Sequence, residues 1–214
     1  MNQLLITGGS GGLGQAIKAE FTSQTWEITA PDRKIVDLQN TRELETYLSC
    51  RSVDLLICAA GMIRDVPLTR ATELDWDDVF SVNYQAAATC ARMILPRMIT
   101  KGRGHIVFIS SYSALHPPIG QVAYATAKAA LLGLTTALAM EHGAQGIRVN
   151  AILPGFLETR MTETVSDQRK NEVLAAHSLG CFNTPQAVAK FIRFLHEELS
   201  AASGQVFQLD SRVL

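Results

Sequence analysis

Tyr124 and Lys128 stand four positions apart in AYATAKAALLG, residues 123–133, a stretch otherwise made of alanine, leucine, threonine and glycine. Residues four apart share one face of a helix, so this spacing holds a phenol beside an ammonium. A phenol with an unperturbed pKa near ~10 is a poor base at neutral pH, but an adjacent ammonium favours the phenolate, and a downward shift of about three units corresponds to roughly 4 kcal/mol. Thirteen residues earlier, just after the apolar run HIVFIS (105–110), Ser111 can donate to a developing alkoxide. Asn83, in SVNYQAA, can hold a water that relays protons from the lysine, and it equally fits a backbone cross-link. A ketone needs a hydride at carbon and a proton at oxygen, and this set supplies the proton. Asn83, Ser111, Tyr124 and Lys128 are the catalytic candidates. Alone, a Tyr–Lys pair at this spacing is surface decoration; the company of the other two and of a glycine turn makes it chemistry.

That turn is TGGSGGLG, residues 7–14, between the strand-like QLLIT and the helical QAIKAEF. Glycines permit a tight turn, let a pyrophosphate approach bare backbone and leave helix N–H groups aimed at the anion. Its G-x-x-x-G-x-G spacing, Gly8, Gly12 and Gly14, differs from the commoner G-x-G-x-x-G. Asp32 follows the second strand, where a carboxylate accepts from the adenosine ribose hydroxyls. This favours NAD slightly, while the neighbouring Arg33 suits the 2′-phosphate of NADP, and a solvated Asp–Arg pair is the plain alternative.

These residues need a scaffold. Short apolar runs at 4–7, 27–30, 54–60, 105–110, 148–153 and 205–209 read as strands, and longer segments at 12–24, 41–50, 75–100, 122–143 and 185–199 read as helices. Alternation of this kind predicts an α/β, three-layer αβα fold around a doubly wound parallel sheet of Rossmann type. IVDL (35–38) follows the second strand too closely for a parallel crossover, so the sheet edge there is expected to be trimmed. No repeat or linker divides the chain, which reads as one dinucleotide-binding domain over residues 1–214 with a substrate loop at about 156–184, including the mobile-looking 161–177.

With 19 basic and 20 acidic residues among 214, net charge −1 and no charge runs, there is no footprint for nucleic acid or anionic lipid. A content of 47% hydrophobic residues supports a sizeable core. The strand beginning at Gln3 leaves no room for a leader, and apolar stretches are interrupted before a membrane span is reached. Cys50, Cys58, Cys90 and Cys181 are scattered, without disulfide or zinc spacing, and the five histidines show no ligand pattern, so no metal is expected and a cytoplasmic setting is. His196 reads as part of a solvated helix face, beside Glu197 and Glu198, and His116 as a candidate for the mouth of the site.

The motifs in register, T-G-x-x-x-G-x-G, AAG (59–61), VN (82–83), SS (110–111), Y-x-x-x-K, RVNAILPG (148–155) and Thr159, resemble the short-chain dehydrogenases/reductases along nearly the whole chain. GFLETRMTETVSDQRK, LGCFNTPQAVA and SGQVFQLD are most similar to 3-oxoacyl thioester reductases, although CAAG replaces the family's N-N-A-G, Cys181 an arginine, and DSRVL the terminal D-G-G; Gly102 and Gln145 hold positions where those reductases often offer a basic residue to a carrier protein. The resemblance implies a nicotinamide cofactor, NAD(P)H, bound by Gly8, Ser10, Gly12, Leu13, Gly14, Asp32, Arg33, Asp37, Leu38, Ala59, Ala60, Gly61, Asn83, Tyr124, Lys128, Pro154, Gly155 and Thr159. Lys128 would also bond the nicotinamide ribose. Thr159 either binds the carboxamide or caps a helix, and Pro154–Gly155 either borders the nicotinamide or ends a strand. The substrate implied is a small carbonyl or secondary alcohol, a 3-oxoacyl thioester or another apolar-tailed ketone. A dinucleotide sensor without turnover is the alternative on the same fold. Charge-poor helices at 75–100 and 122–143, with small residues at Ala86, Ala87, Ala88, Ala129, Ala130 and Gly133, point to a homodimer or homotetramer.

Overall fold

The computed structural model describes residues 1–212 of the chain; Val213 and Leu214, the end of DSRVL, lie outside the described residues. Six parallel strands run β1 (Asn2–Thr7), β2 (Trp26–Thr29), β3 (Leu55–Cys58), β4 (Gly104–Ile109), β5 (Ile147–Leu153) and β6 (Val206–Gln208), in the spatial order β2-β1-β3-β4-β5-β6. Connecting them are α1 (Gly12–Phe21), α2 (Thr41–Leu48), α3 (Glu73–Phe80), α4 (Ala86–Lys101), α5 (Val122–His142), α6 (Asp167–Ala175) and α7 (Pro185–Glu197).

Strand alternation splits the core in two. Leu4, Ile6, Leu55, Ile57, Val107 and Ile109 meet α1 and α7 through Ile17, Phe21, Val188, Ile192 and Leu195. Leu5, Leu56, Ile106, Phe108 and Val149 face Leu44, Leu48, Ala91, Ile94 and Leu131 of α2, α4 and α5. Both sheet faces are covered, which is why the strands are apolar throughout.

The expected trimmed edge is present. IVDL forms no strand: Val36, 1% exposed, plugs the core beside Leu44 and Leu48, so β2 ends the sheet. Other expectations change. The segment read as one helix over 75–100 is α3, a π turn at Ser81–Gln85, then α4. The stretch 161–177, read as loop, holds α6, capped by Ser166 and with no buried residue. Val122–Gln145 is long and apolar enough to cross a membrane by composition, but here it lies on the sheet with Tyr124, Lys128, Leu131 and Thr135 buried.

His196 is not on a solvated face. It stacks on His105 of β4, with ring centroids 5.4 Å apart, and sits edge-on to Trp26. Asn150 Nδ2 donates to Ala202 O and to His105 Nε2, so the His105 proton sits on Nδ1 and is donated to His196 Nδ1, 3.2 Å away. Burial, reinforced by the Arg148 charge, pushes His105 well below its ordinary pKa and His196 down to about 4, against the opposing pull of Glu197 and Asp54. Between about pH 6.5 and 4 the unfolded chain therefore binds protons that the folded pair refuses, and stability rises with pH across that window. We predict that the urea midpoint falls as pH is lowered from 7 to 4.5, by an amount worth at least ~2 kcal/mol. A flat profile there would contradict the neutral pair.

Candidate active site

The parallel sheet presents its strand ends at one edge, and the candidate residues gather there. Gly8, at φ +73°, turns the chain out of β1, and a Cβ on it would meet Ala60 N and Cα at 2.7 Å. Gly14 packs on that turn so closely that a Cβ would lie 2.3 Å from Gly8 O. A Cβ on Gly12 would come 2.8 Å from the Thr159 methyl. Ser10 is exposed and its carbonyl accepts from Gln15 Nε2, while Leu13 is half-buried against the α1–α7 core. At its N-terminus α1 has Gly11 and no side-chain cap, whereas Asn40, Thr72, Ser166 and Thr184 cap α2, α3, α6 and α7. An uncapped helix start beside side-chain-free backbone is a cradle that fits a pyrophosphate.

After β2, Asp32 Oδ1 accepts from Lys34 N (2.9 Å) and Ile35 N (3.2 Å), so half of its carboxylate shapes a local turn. The Arg33 side chain, 77% exposed, leans toward Asp37 and Gln39. Leu38 packs against the α2–α4 core. Ala59 N and Ala60 N donate to Thr7 O and Thr7 Oγ1, which carries Ala59–Gly61 out of β3 alongside the glycine turn and shortens that strand. Asn83 lies on the π turn. Its Nδ2 donates to Met62 O and Val79 O, each at 2.8 Å, and its Oδ1 accepts from Met62 N. Its amide is thus mostly committed to backbone. The bare face of Gly61 lies between Asn83 Oδ1 and Lys128 Nζ, 3.2 and 3.8 Å from where a Cβ would stand.

Lys128 is 3% exposed and donates from Nζ to Ile109 O at 2.9 Å, while Ser110 Oγ donates to Lys128 O at 2.8 Å. Burial pushes the ammonium down to about 8, against a weaker pull from Cys58. Tyr124, 8% exposed, has Lys128 Nζ 5.8 Å from its ring centroid. The expected acidification of the phenol is not found: burial raises it above its ordinary value, Ser111 pulls it partly back and Asp65 adds to the rise. Sequence spacing conveys the charge pair but not the desolvation that outweighs it. Ser111 Oγ accepts from Ser113 N at 3.1 Å, which leaves its own proton to donate.

Around this centre, Pro154 O accepts from Asn183 Nδ2, and Gly155, at φ +83°, packs against Asp210. Thr159 opens the short helical turn Arg160–Thr162, its N–H donating to Thr162 Oγ1 and its methyl turned to Gly12. His116 is exposed and stacks on Tyr112. Asp65, Gln121 and Ser113, which sequence reasoning did not single out, form a hydrogen-bonded chain that runs from the mouth to the Ser111 turn. Their only sequence signal is position beside the motifs.

The short chain dehydrogenase family model matches residues 44–170. The chain belongs to that family. The 3-oxoacyl-[acyl-carrier-protein] reductase of Thermotoga maritima is 32% identical over 96% of this chain and 95% of its own length, and that of Chlamydia trachomatis 34% over 96% and 84%. A solved structure from Beutenbergia cavernae with bound NADP matches at TM-score 0.93 and 28% identity over 98% of this chain and 95% of its own. A 4-hydroxyisoleucine dehydrogenase complexed with NADH matches at TM-score 0.91 and 27% identity over 99% and 98%. This short-chain dehydrogenase is an NAD(P)-dependent oxidoreductase that transfers a hydride between a nicotinamide cofactor and a carbonyl/alcohol pair. The sensor alternative gives way to an enzyme.

Proposed function

We propose that the enzyme reduces the ketone of an apolar-tailed 3-oxoacyl thioester, within one domain over residues 1–214 whose 156–184 segment is the substrate loop. The observation that carries this reading is the buried, protonated Tyr124 phenol beside the Ser111 hydroxyl at the end of β4. Nicotinamide supplies the hydride. Tyr124 gives its proton to the carbonyl oxygen as that becomes an alkoxide; burial holds the free phenol protonated, and the basicity of the developing alkoxide draws the proton across. Ser111 donates a hydrogen bond to the same oxygen. Lys128 holds the cofactor ribose and refills the phenol through a water shared with the remaining lone pair of Asn83 Oδ1, across Gly61. The glycine turn, Asp32, Ala59–Gly61, Pro154–Gly155 and Thr159 line the cofactor groove. Two features support an apolar tail: the relatives named as 3-oxoacyl reductases, and the tilted Phe156–Phe182 pair, with Met161 exposed five residues after Phe156. Four unpaired cysteines and the reductase relatives favour a cytoplasmic setting.

In an assay with acetoacetyl thioester, simple ketones and secondary alcohols, Tyr124→Phe should lower kcat by about 10³-fold while leaving cofactor affinity nearly unchanged, because only the phenolic oxygen is lost. Retained turnover would remove Tyr124 from the chemistry.

Asp32 places a negative charge where a 2′-phosphate would sit, so NAD(H) should bind at least as well as NADP(H). Asp32→Asn keeps the acceptor for Lys34 and Ile35 while removing the charge, and should shift the affinity ratio toward NADP(H) by about tenfold. A strong native preference for NADP(H) in calorimetric titration would reverse this reading.

A homodimer or homotetramer fits the α4–α5 surface. Ala86 and Ala87 are buried in the chain's own core, but Ala88, Pro96, Ile99, Leu134 and Leu138 line an open groove of about 430 Å³, and Gly133 has no neighbour within 4 Å of a Cβ position. Light scattering at micromolar concentration should report a multiple of 23.3 kDa; a stable, active monomer would refute it.

A further inference from the structure

The C-terminal tail, where the sequence departs from the family's ending, is sewn to the substrate loop. Ser211 O accepts from Ser178 N (3.0 Å) and Ser178 Oγ (2.9 Å), Leu209 O accepts from Asn183 Nδ2 (2.7 Å), and Arg212 forms a β-bridge with His177. Two side chains turn inward from this seam. The Asp210 carboxylate has no exposed surface and lies against Gly155. Arg212 donates to Asp210 Oδ2 through Nε (2.7 Å) and Nη2, and its guanidinium covers the ring of Tyr112, Cζ 3.4 Å from the centroid. Tyr112 follows Ser111 and opens the helical turn Tyr112–Ala114, inside which Ser113 N donates to Ser111 Oγ.

A second observation falls at the same place. His177 is 4% exposed and its Nδ1 donates to Val173 O at 2.7 Å; its buried Nε2 has no hydrogen-bond partner among the described residues and stands 3.7 Å from Asp210 Oδ2. Leaving a buried nitrogen unpaired is destabilising, and such groups in a folded protein call for a reason beyond packing. Here it lies where loop, tail and the turn beside Ser111 converge.

We propose that Arg212, oriented by Asp210, is a positioning residue for Ser111. Its planar guanidinium clamps the Tyr112 ring, which fixes the turn that aims the Ser111 hydroxyl, and its bridge to His177 makes that aim depend on a seated substrate loop. The inference rests on Ser111 donating to the substrate carbonyl oxygen, as proposed above. Because the Ser113 amide is bonded to Ser111 Oγ, its hydrogen exchange reports the position of that oxygen without any substrate.

In the full chain, Arg212→Ala should accelerate exchange at Ser113 at least about tenfold while amides of β4 and α7 keep their protection. The same variant should lower kcat for acetoacetyl thioester about tenfold with cofactor KM unchanged, since misaim at the reacting oxygen is felt in turnover. Guanidinium at millimolar concentration should restore both, and equal sodium chloride should not. Arg212→Lys keeps the charge beside Asp210 but loses the planar stack, so it should fall between, and it carries the comparison if Arg212→Ala fails to fold. Unchanged Ser113 exchange in a folded Arg212 variant overturns the inference whatever the activity. Accelerated exchange in an enzyme that never turns over the thioester supports the positioning and overturns the substrate reading instead.

Discussion

Two hydrogen bonds exchanged between the end of β4 and one lysine hold the candidate catalytic centre in place. Lys128 Nζ donates to Ile109 O while Ser110 Oγ donates back to Lys128 O, so strand and helix are tied in both directions. Ser111 is the next residue along the strand, and Tyr124 lies one turn back on the helix. The clamp therefore sets the spacing between hydroxyl and phenol before any substrate arrives. Its position is buried, where a hydrogen bond to a charged donor is strong and an unmade one costly. Parallel pairing of β4 with β3 and β5 puts the loops after all three strands at the same edge, so Gly61, Ser111 and Gly155 face a common cleft.

Burial decides the electrostatics of that cleft. It drives both members of the Tyr–Lys pair toward their neutral forms, the phenol upward and the ammonium down to about 8. The attraction read from the i,i+4 spacing does not set the direction: Lys128 Nζ stands 5.8 Å from the ring centroid, and desolvation governs the phenol. The result is a protonated acid next to a lysine close to its titration point, a state suited to giving a proton and recovering it.

What was legible in the sequence follows from the range over which each signal acts. Strands buried on both faces declare themselves as apolar runs, and the short IVDL segment betrayed the trimmed edge because a crossover has a minimum length. The π turn at Ser81–Gln85 was invisible, since one inserted residue barely disturbs a 3.6-residue period. Helix α6 buries nothing and so has no apolar stripe; only Ser166 followed by Asp167 marked its start. His196 was misread because its neighbours Glu197 and Glu198 are local and its partner His105 is 91 residues away. In the site, the types and spacings of Ser111, Tyr124 and Lys128 were readable, whereas the commitment of the Asn83 amide to Met62 and Val79 was not.

A trimmed sheet also has to protect its own edge. Strand β2 ends the sheet and is only four residues long, with Glu27 exposed and hydrogen-bonded to Gln3. Short length and a charged side chain both discourage pairing with another chain. Val36 then supplies, as a single plug, the apolar contact that a further strand would have made against α2. Asp32 holds the turn that delivers that plug, through its carboxylate and its carbonyl together. If Asp32 reads the cofactor ribose as proposed, one side chain serves both the cofactor and the turn at the sheet edge. At this position asparagine, serine and threonine keep an acceptor for the Lys34 and Ile35 amides, whereas alanine leaves the turn without its side-chain anchor.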